Sequence, residues 1–175
     1  ERDSAGGAAE SRSPLTQALI AEDLAHGDMG LTLAILAPVA VAQTLVQWGS
    51  DDQVEQYLKP MLDEGFSAAA LAINEPRPLF DPNILQTRAE KKRGDYVLNG
   101  IKHLVPIAEQ SDFFIVAASL DDKPALFVVD KSATGLSVRK SPAMGLRAAG
   151  LGSIKLNRVR LKANALLGEG KEDFD

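Results

Sequence analysis

Residues 94–108 read GDYVLNGIKHLVPIA, and this stretch indicates the architecture of the second part of the chain. Residues 96–98 and 103–105 are two short β-prone runs, and Asn99-Gly100 lies between them. This dipeptide is typical of a two-residue β-hairpin, because a type I′ turn needs positive φ at both central positions. The stretch therefore predicts two strands joined by a tight turn.

Further short strands are predicted on both sides of this stretch. Turn-rich segments such as EPRPLFDPN, KRGD, LDDKP and SATG separate them. Many short strands at close spacing are typical of a small barrel or sandwich. The additional strands are expected at residues 67–73, 85–91, 113–119, 125–130, 136–139, 153–156 and 159–161.

The first 66 residues are predicted to be helical. Ser13-Pro14 is a favourable helix start, and Gly27 is expected to end that helix. A second, uncharged helix follows to Trp48, and SDDQ at 50–53 has the form of a capping box. The predicted fold class is therefore α+β, with an N-terminal helical subdomain (1–66) followed by an antiparallel β-barrel or sandwich domain (67–175).

Composition excludes several classes of site. The chain has 175 residues, no cysteine and only two histidines, His26 and His103. This composition excludes thiolate chemistry and argues against a histidine-rich metal site. Its net charge of −5, without a basic stripe, indicates no nucleic-acid partner. Residues 29–50 carry no charge, yet their alanines, glutamines, threonines and Pro38 favour a buried helix over a membrane span.

Six phrases, taken in order, resemble the acyl-CoA dehydrogenase family. WGSDDQVEQYLKPMLDEG (48–65) resembles the helix that precedes its β domain, and AALAINEP (69–76) resembles the family's FALTEP strand. GDYVLNGIKHLVPIA resembles G-YVLNG-K-WITNA. Three later phrases match in turn: the strand pair ending at SATGLSV, then MGLRAAGLGSIKLNRVRL, then NALLGEG. The resemblance extends from about residue 15 to 170.

This resemblance implies a flavoprotein chemistry. In the family, FAD takes a hydride from the β-carbon of an acyl-CoA thioester while a glutamate removes the α-proton. That glutamate belongs to a C-terminal helical domain, which these residues do not match. We expect the chain to be an inactive piece of a longer enzyme that forms homo- or hetero-oligomers through that domain. We also expect a cytoplasmic location.

The resemblance also assigns candidate ligand contacts. Arg77-Pro-Leu-Phe80-Asp81 stands where the family has GAGSD, while Leu104 and Pro106 replace the tryptophan and threonine of WITNA. Arg147 matches the family's arginine. The implied cofactor-binding residues are Ile73, Asn74, Leu104, Val105 and Pro106, and the implied substrate-binding residues are Phe80, Asp81 and Arg147.

The departures from the family pattern concern hydrogen bonding. Proline has neither a hydroxyl nor a backbone N–H, so Pro106 removes one flavin donor. Such a loss costs on the order of 1.5–3 kcal/mol. We therefore expect FAD to bind weakly or not at all. Three interpretations stay open: a piece of an active dehydrogenase, a non-catalytic member with a structural role, and a β-domain binding module without redox chemistry.

Overall fold

A computed structural model describes residues 14–63, 67–141 and 144–168. A helical region comes first and a β domain follows, which confirms the α+β class. The predicted cap Ser13 and the domain boundary at 66 lie outside the described residues. The division into residues 1–66 and 67–175 stays a prediction.

The first helical element, α1 (Pro14–Trp48), is interrupted at Asp28, whose φ of −157° and ψ of 111° are extended. Asp28 Oδ1 accepts a hydrogen bond from Leu31 N at 2.8 Å, so this carboxylate caps the second half of the element. The division expected after Gly27 is therefore confirmed. Val41 and Leu45 are fully buried and pack against Ala69 and Phe113 of the β domain.

α1 is long and apolar enough to cross a membrane by length and composition alone. Core helices pass the same test. Its Val41–Leu45 face is covered by the β domain, as in a core helix. The absence of a membrane span stays a prediction.

The predicted capping box is confirmed at the start of α2 (Asp51–Gln53). Gln53 N donates to Ser50 Oγ at 3.2 Å, and Ser50 N donates to Gln53 Oε1 at 2.9 Å. A π-helical turn (Val54–Leu58) and α3 (Lys59–Leu62) continue the same helical path. The Gln53 amide also donates to the carbonyls of Asn164 and Leu166, and so ties this helix start to the end of the β domain.

The described part of the β domain is a seven-stranded curled sheet. Its order is β1-β4-β2-β3-β7-β6, with β5 paired to β4. β1 and β2 both pair with β4 in parallel, so the sheet is mixed and not wholly antiparallel as expected. The strands are β1 (Ala69–Ala72), β2 (Arg88–Lys92), β3 (Asp95–Val105), β4 (Phe113–Leu120), β5 (Lys123–Asp130), β6 (Leu136–Lys140) and β7 (Gly152–Leu161).

The predicted hairpin at Asn99-Gly100 is wrong. Both residues lie inside β3, and the turn that enters this strand is Arg93-Gly94. A glycine is instead required at position 100 because β3 passes close to Thr87. A Cβ there would lie 2.5 Å from Thr87 Oγ1 and 2.7 Å from Thr87 Cα. The two strands predicted at 153–156 and 159–161 are likewise one strand, β7, with a bulge near Arg158.

Candidate functional site

The ends of β1 and β3 meet at one edge of the sheet. Ile73 and Asn74 follow β1, and His103 N donates to Asn74 O at 2.8 Å. The five predicted cofactor residues Ile73, Asn74, Leu104, Val105 and Pro106 therefore lie on two adjoining segments. We call these five residues the wall.

A β-bulge shapes the wall at Leu104. β3 pairs with β7 at Lys102↔Ile154 and next at Val105↔Gly152, so β3 has one extra residue between these pairs. Leu104 has φ of 52° and is 47% exposed, whereas Val105 is buried in the core. Bulges of this kind redirect a side chain next to a site. Leu104 consequently faces outward, and the Val105 side chain is closed to a ligand.

A buried ion pair fixes the two segments. Lys102 Nζ donates to Glu75 Oε1 at 2.9 Å and to Ile73 O at 3.0 Å. The Glu75 carboxylate also accepts from Gln86 N at 2.7 Å and Thr87 N at 2.8 Å. The same carboxylate thus joins the end of β1 to β3 and to the segment that enters β2.

Hydrogen bonding outweighs burial in setting the charge of Glu75. Burial alone raises the pKa of this carboxyl, but the bonds from Gln86 N, Thr87 N and the Lys102 ammonium lower the pKa from 4.5 to about 2. Burial lowers the pKa of Lys102, and the nearby Arg77 adds to that effect while Glu75 opposes it. Glu75 is therefore a charged carboxylate that already accepts three hydrogen bonds.

The wall offers few donors to the polar edge of a flavin. His103 N is bonded to Asn74 O, Ile107 N donates to Ala149 O at 2.8 Å, and Pro106 has no N–H. The Leu104 side chain presents only carbon. Among the five wall side chains, the exposed Asn74 amide alone can donate a hydrogen bond. This donor set is a poor match to FAD.

The predicted substrate residues Phe80 and Asp81 are engaged within their own loop. The Arg77 guanidinium carbon lies 5.5 Å from the Phe80 ring centre, and Arg77 Nη2 donates to Asp81 O at 3.0 Å and to Ile84 O. The Asp81 carboxylate accepts from Asn83 N at 2.9 Å. Arg77 therefore closes a loop in which the family pattern has glycines that let a ligand approach.

The third predicted substrate residue lies on a separate element. Arg147 begins a 3₁₀ turn (Arg147–Ala149) and its side chain is exposed. The turn adjoins the wall, because Ile107 N donates to Ala149 O and Ala108 N donates to Gly150 O. The structure thus brings the Arg147 turn to the segment after Pro106.

Three residues that organise this site are absent from the sequence-based prediction: Glu75, Lys102 and Arg77. The sequence did indicate that Lys102 is buried. Every second residue of β3 faces inward, and this series runs Tyr96, Leu98, Gly100, Lys102. A lysine in the buried phase of a strand needs a carboxylate partner. The chain order alone does not tell which carboxylate supplies it.

Comparison with known proteins defines the class. Residues 2–65 match the family model "Acyl-CoA dehydrogenase, N-terminal domain", and residues 70–159 match "Acyl-CoA dehydrogenase, middle domain". The chain belongs to the acyl-CoA dehydrogenase family. A glutaryl-CoA dehydrogenase from Mycobacterium smegmatis, 24% identical with a TM-score of 0.72 and coverage of 79% and 38%, has been solved in complex with FADH2.

Individual relatives agree with this assignment. The chain is 30% identical over 164 residues to a probable medium-chain specific acyl-CoA dehydrogenase 2, mitochondrial, of Caenorhabditis briggsae, covering 88% of this chain and 40% of the relative. The butyryl-CoA dehydrogenase structure from Megasphaera elsdenii is 27% identical, with a TM-score of 0.77 and coverage of 88% and 42%. The prolyl acyl carrier protein oxidase AnaB is 30% identical, with a TM-score of 0.70 and coverage of 79% and 38%.

Proposed function

We propose that this chain forms the half of an active site that would hold flavin and thioester, in a longer protein that oxidises an acyl-CoA at its α and β carbons. The observation that supports this is the junction of β1 and β3 at His103 N and Asn74 O, held by the Glu75–Lys102 pair. The chain spans 40% of the length of the relative from Caenorhabditis briggsae. Oxidation is therefore assigned to the longer parent protein.

Neither of the two carboxylates near the wall, Glu75 and Asp81, is free to act as a base. Removal of an α-proton needs a general base within hydrogen-bond reach of the substrate. Glu75 is buried and bonded to Lys102, Gln86 and Thr87, and the Asp81 carboxylate is held by Asn83. The 175 residues alone are consequently inactive in this proposal, and the base comes from the C-terminal domain of the family.

Weak or absent FAD binding by these residues is part of the same proposal. The Leu104 side chain carries no donor, Pro106 has no backbone N–H, and the neighbouring N–H groups of His103 and Ile107 are already bonded. We also propose that the parent protein forms oligomers through the C-terminal domain and is cytoplasmic. We further propose that it has no nucleic-acid partner and no membrane span.

A second candidate function is a non-catalytic member of the family with a structural or assembly role. The Arg77–Phe80 contact favours it, because this contact closes the loop that would otherwise approach a ligand. The two candidates differ in whether an acyl thioester binds.

Urea unfolding with and without butyryl-CoA and octanoyl-CoA tests the first candidate. A ligand present at 100 times its Kd should raise the free energy of unfolding by about 2.7 kcal/mol. Desulfo-CoA, which lacks the thioester, is the matched control ligand. No stabilisation by either acyl-CoA would reject thioester binding and leave the structural role.

A further inference from the structure

The charge of the chain is divided unevenly along the sequence. Residues 131–168 contain eight lysines and arginines and no aspartate or glutamate. The other 137 residues contain eleven lysines and arginines against 24 acidic residues. A chain of net charge −5 thus carries one strongly basic segment, which includes β6 and β7.

The sheet collects part of this charge on one exposed surface. Lys155 of β7 is the register partner of both Ile101 on β3 and Ser137 on β6, and Arg139 is the partner of Ser153. These five residues line a shallow groove of about 280 Å³, which we call the basic groove.

Neither cation of the basic groove is neutralised within the described part of the chain. The ion pairs found there are Lys59–Glu55, Arg88–Asp122, Lys92–Glu90 and Lys102–Glu75, and none of them includes Arg139 or Lys155. Exposed cations without an ion-pair partner contribute a local positive potential, and such a potential speeds encounter with acidic partners. Residues 131–168 supply no acidic group that would weaken this potential.

The basic groove adjoins the wall. Ser153 follows Gly152, the register partner of Val105, and Ile101 precedes the buried Lys102. Adjacent strand residues are roughly 3.3 Å apart along the chain, so the groove and the wall are separated by about one to two residues. A partner seated on the groove would lie next to the wall on the same sheet.

We propose that the basic groove docks the acidic surface of an acyl carrier protein, which presents the acyl thioester on its phosphopantetheine arm. This rests on the proposed function, since a carrier-bound acyl thioester would enter the same half of the active site as an acyl-CoA. Ile101, 46% exposed among the cations and serines, supplies the apolar centre that protein interfaces have. Extended single-stranded nucleic acid is disfavoured, because no aromatic residue lines the groove for base stacking.

Titration of the chain with purified holo-acyl carrier protein, followed by fluorescence anisotropy, tests the proposal. We expect saturable binding that weakens at least about ten-fold between 25 and 300 mM NaCl, because screening shortens the range of exposed charges. Arg139→Glu/Lys155→Glu should weaken binding by about ten-fold or more, given the cost of like-charge contacts across an interface.

Lys91→Glu/Lys123→Glu is the matched control, with the same charge change on other strands, β2 and β5. It should bind the carrier within about two-fold of the unaltered chain. Circular dichroism establishes that both double variants fold. Carrier binding that is absent, equal in both double variants, or exceeded by a dT20 oligonucleotide would overturn the docking proposal.

Acyl-pantetheine without a carrier separates this inference from the proposed function. If acyl-pantetheine stabilises the chain and the carrier protein does not bind, docking is wrong and thioester binding stands. If the carrier protein binds through Arg139 and Lys155 but no acyl thioester adds stability, docking stands and the proposed function is wrong.

Discussion

Lys102 Nζ lies 2.9 Å from Glu75 Oε1, and the two side chains are 0% and 1% exposed. The pair lies directly beneath the wall, since Lys102 also bonds the Ile73 carbonyl and His103 bonds the Asn74 carbonyl. The wall is therefore held in place by contacts inside the β domain.

Replacing Lys102 by methionine should strongly destabilise the fold. The variant leaves the Glu75 carboxylate buried without its cation, and breaking a buried pair costs about 3–5 kcal/mol. The free energy of unfolding, from urea titration at pH 7, measures this cost.

Glu75→Leu/Lys102→Met is the control for that experiment. Removing both charges avoids an unpaired carboxylate, so the double variant should be less destabilised than Lys102→Met alone. A double variant at least as unstable as the single one would contradict a dominant role for the ion pair, and would point to the Gln86 and Thr87 hydrogen bonds instead.

Acid should weaken the fold through Glu75. Its folded pKa of about 2 lies below its ordinary value of 4.5, so the unfolded chain takes up the proton first as pH falls. The stabilising contribution is complete above about pH 4.5 and is lost as pH decreases toward 2. Urea unfolding between pH 6 and pH 2.5 should show this loss, and Glu75→Gln should lack that component. An identical pH dependence in both proteins would contradict the assignment.

Gly100→Ala should be costly although Gly100 lies in the middle of a strand. The added Cβ would lie 2.5 Å from Thr87 Oγ1 and 2.7 Å from Thr87 Cα, and overpacking of this kind costs about 1–3 kcal/mol. Gly27→Ala is the control, because a Cβ there has no neighbour within 4 Å. It should be neutral or stabilising by up to about 1 kcal/mol. Equal stability of the two variants would contradict the close contact.

Local signals predicted most of the elements. The SDDQ capping box, the break after Gly27 and the positions of the strands follow from spacing and turn chemistry, which depend on neighbouring residues only. The errors arose where contacts between residues far apart in sequence determine the local structure. Gly100 is needed because the strand passes close to Thr87, and it does not form a turn. Arg158 lies in a bulge inside β7 and does not end a strand; its backbone N–H donates to Asn99 Oδ1 at 2.9 Å.

The candidate site was predictable in part for the same reason. The family phrases located Asn74, Leu104 and Pro106 on adjoining segments, but the Arg77–Phe80 contact and the Glu75–Lys102 pair are visible only once the loops are placed. The basic segment 131–168 was hidden because net charge averages it with the acidic remainder of the chain.

Restoring the lost donor should improve flavin binding. Pro106→Thr returns a hydroxyl and a backbone N–H to the wall, and a gain of 1.5–3 kcal/mol corresponds to roughly ten-fold or more in affinity. Equilibrium dialysis against FAD measures this change. Pro124→Thr, at an exposed position on β5, is the control and should leave FAD affinity unchanged. Equal affinities in the two variants would contradict a role for Pro106.

The FAD content of the purified chain tests the altered wall most directly. After incubation with excess FAD and gel filtration, the absorbance near 450 nm relative to 280 nm gives the number of flavins per chain. The wall with Leu104 and Pro106 predicts far less than one flavin per chain. Retention of close to one flavin per chain would contradict it.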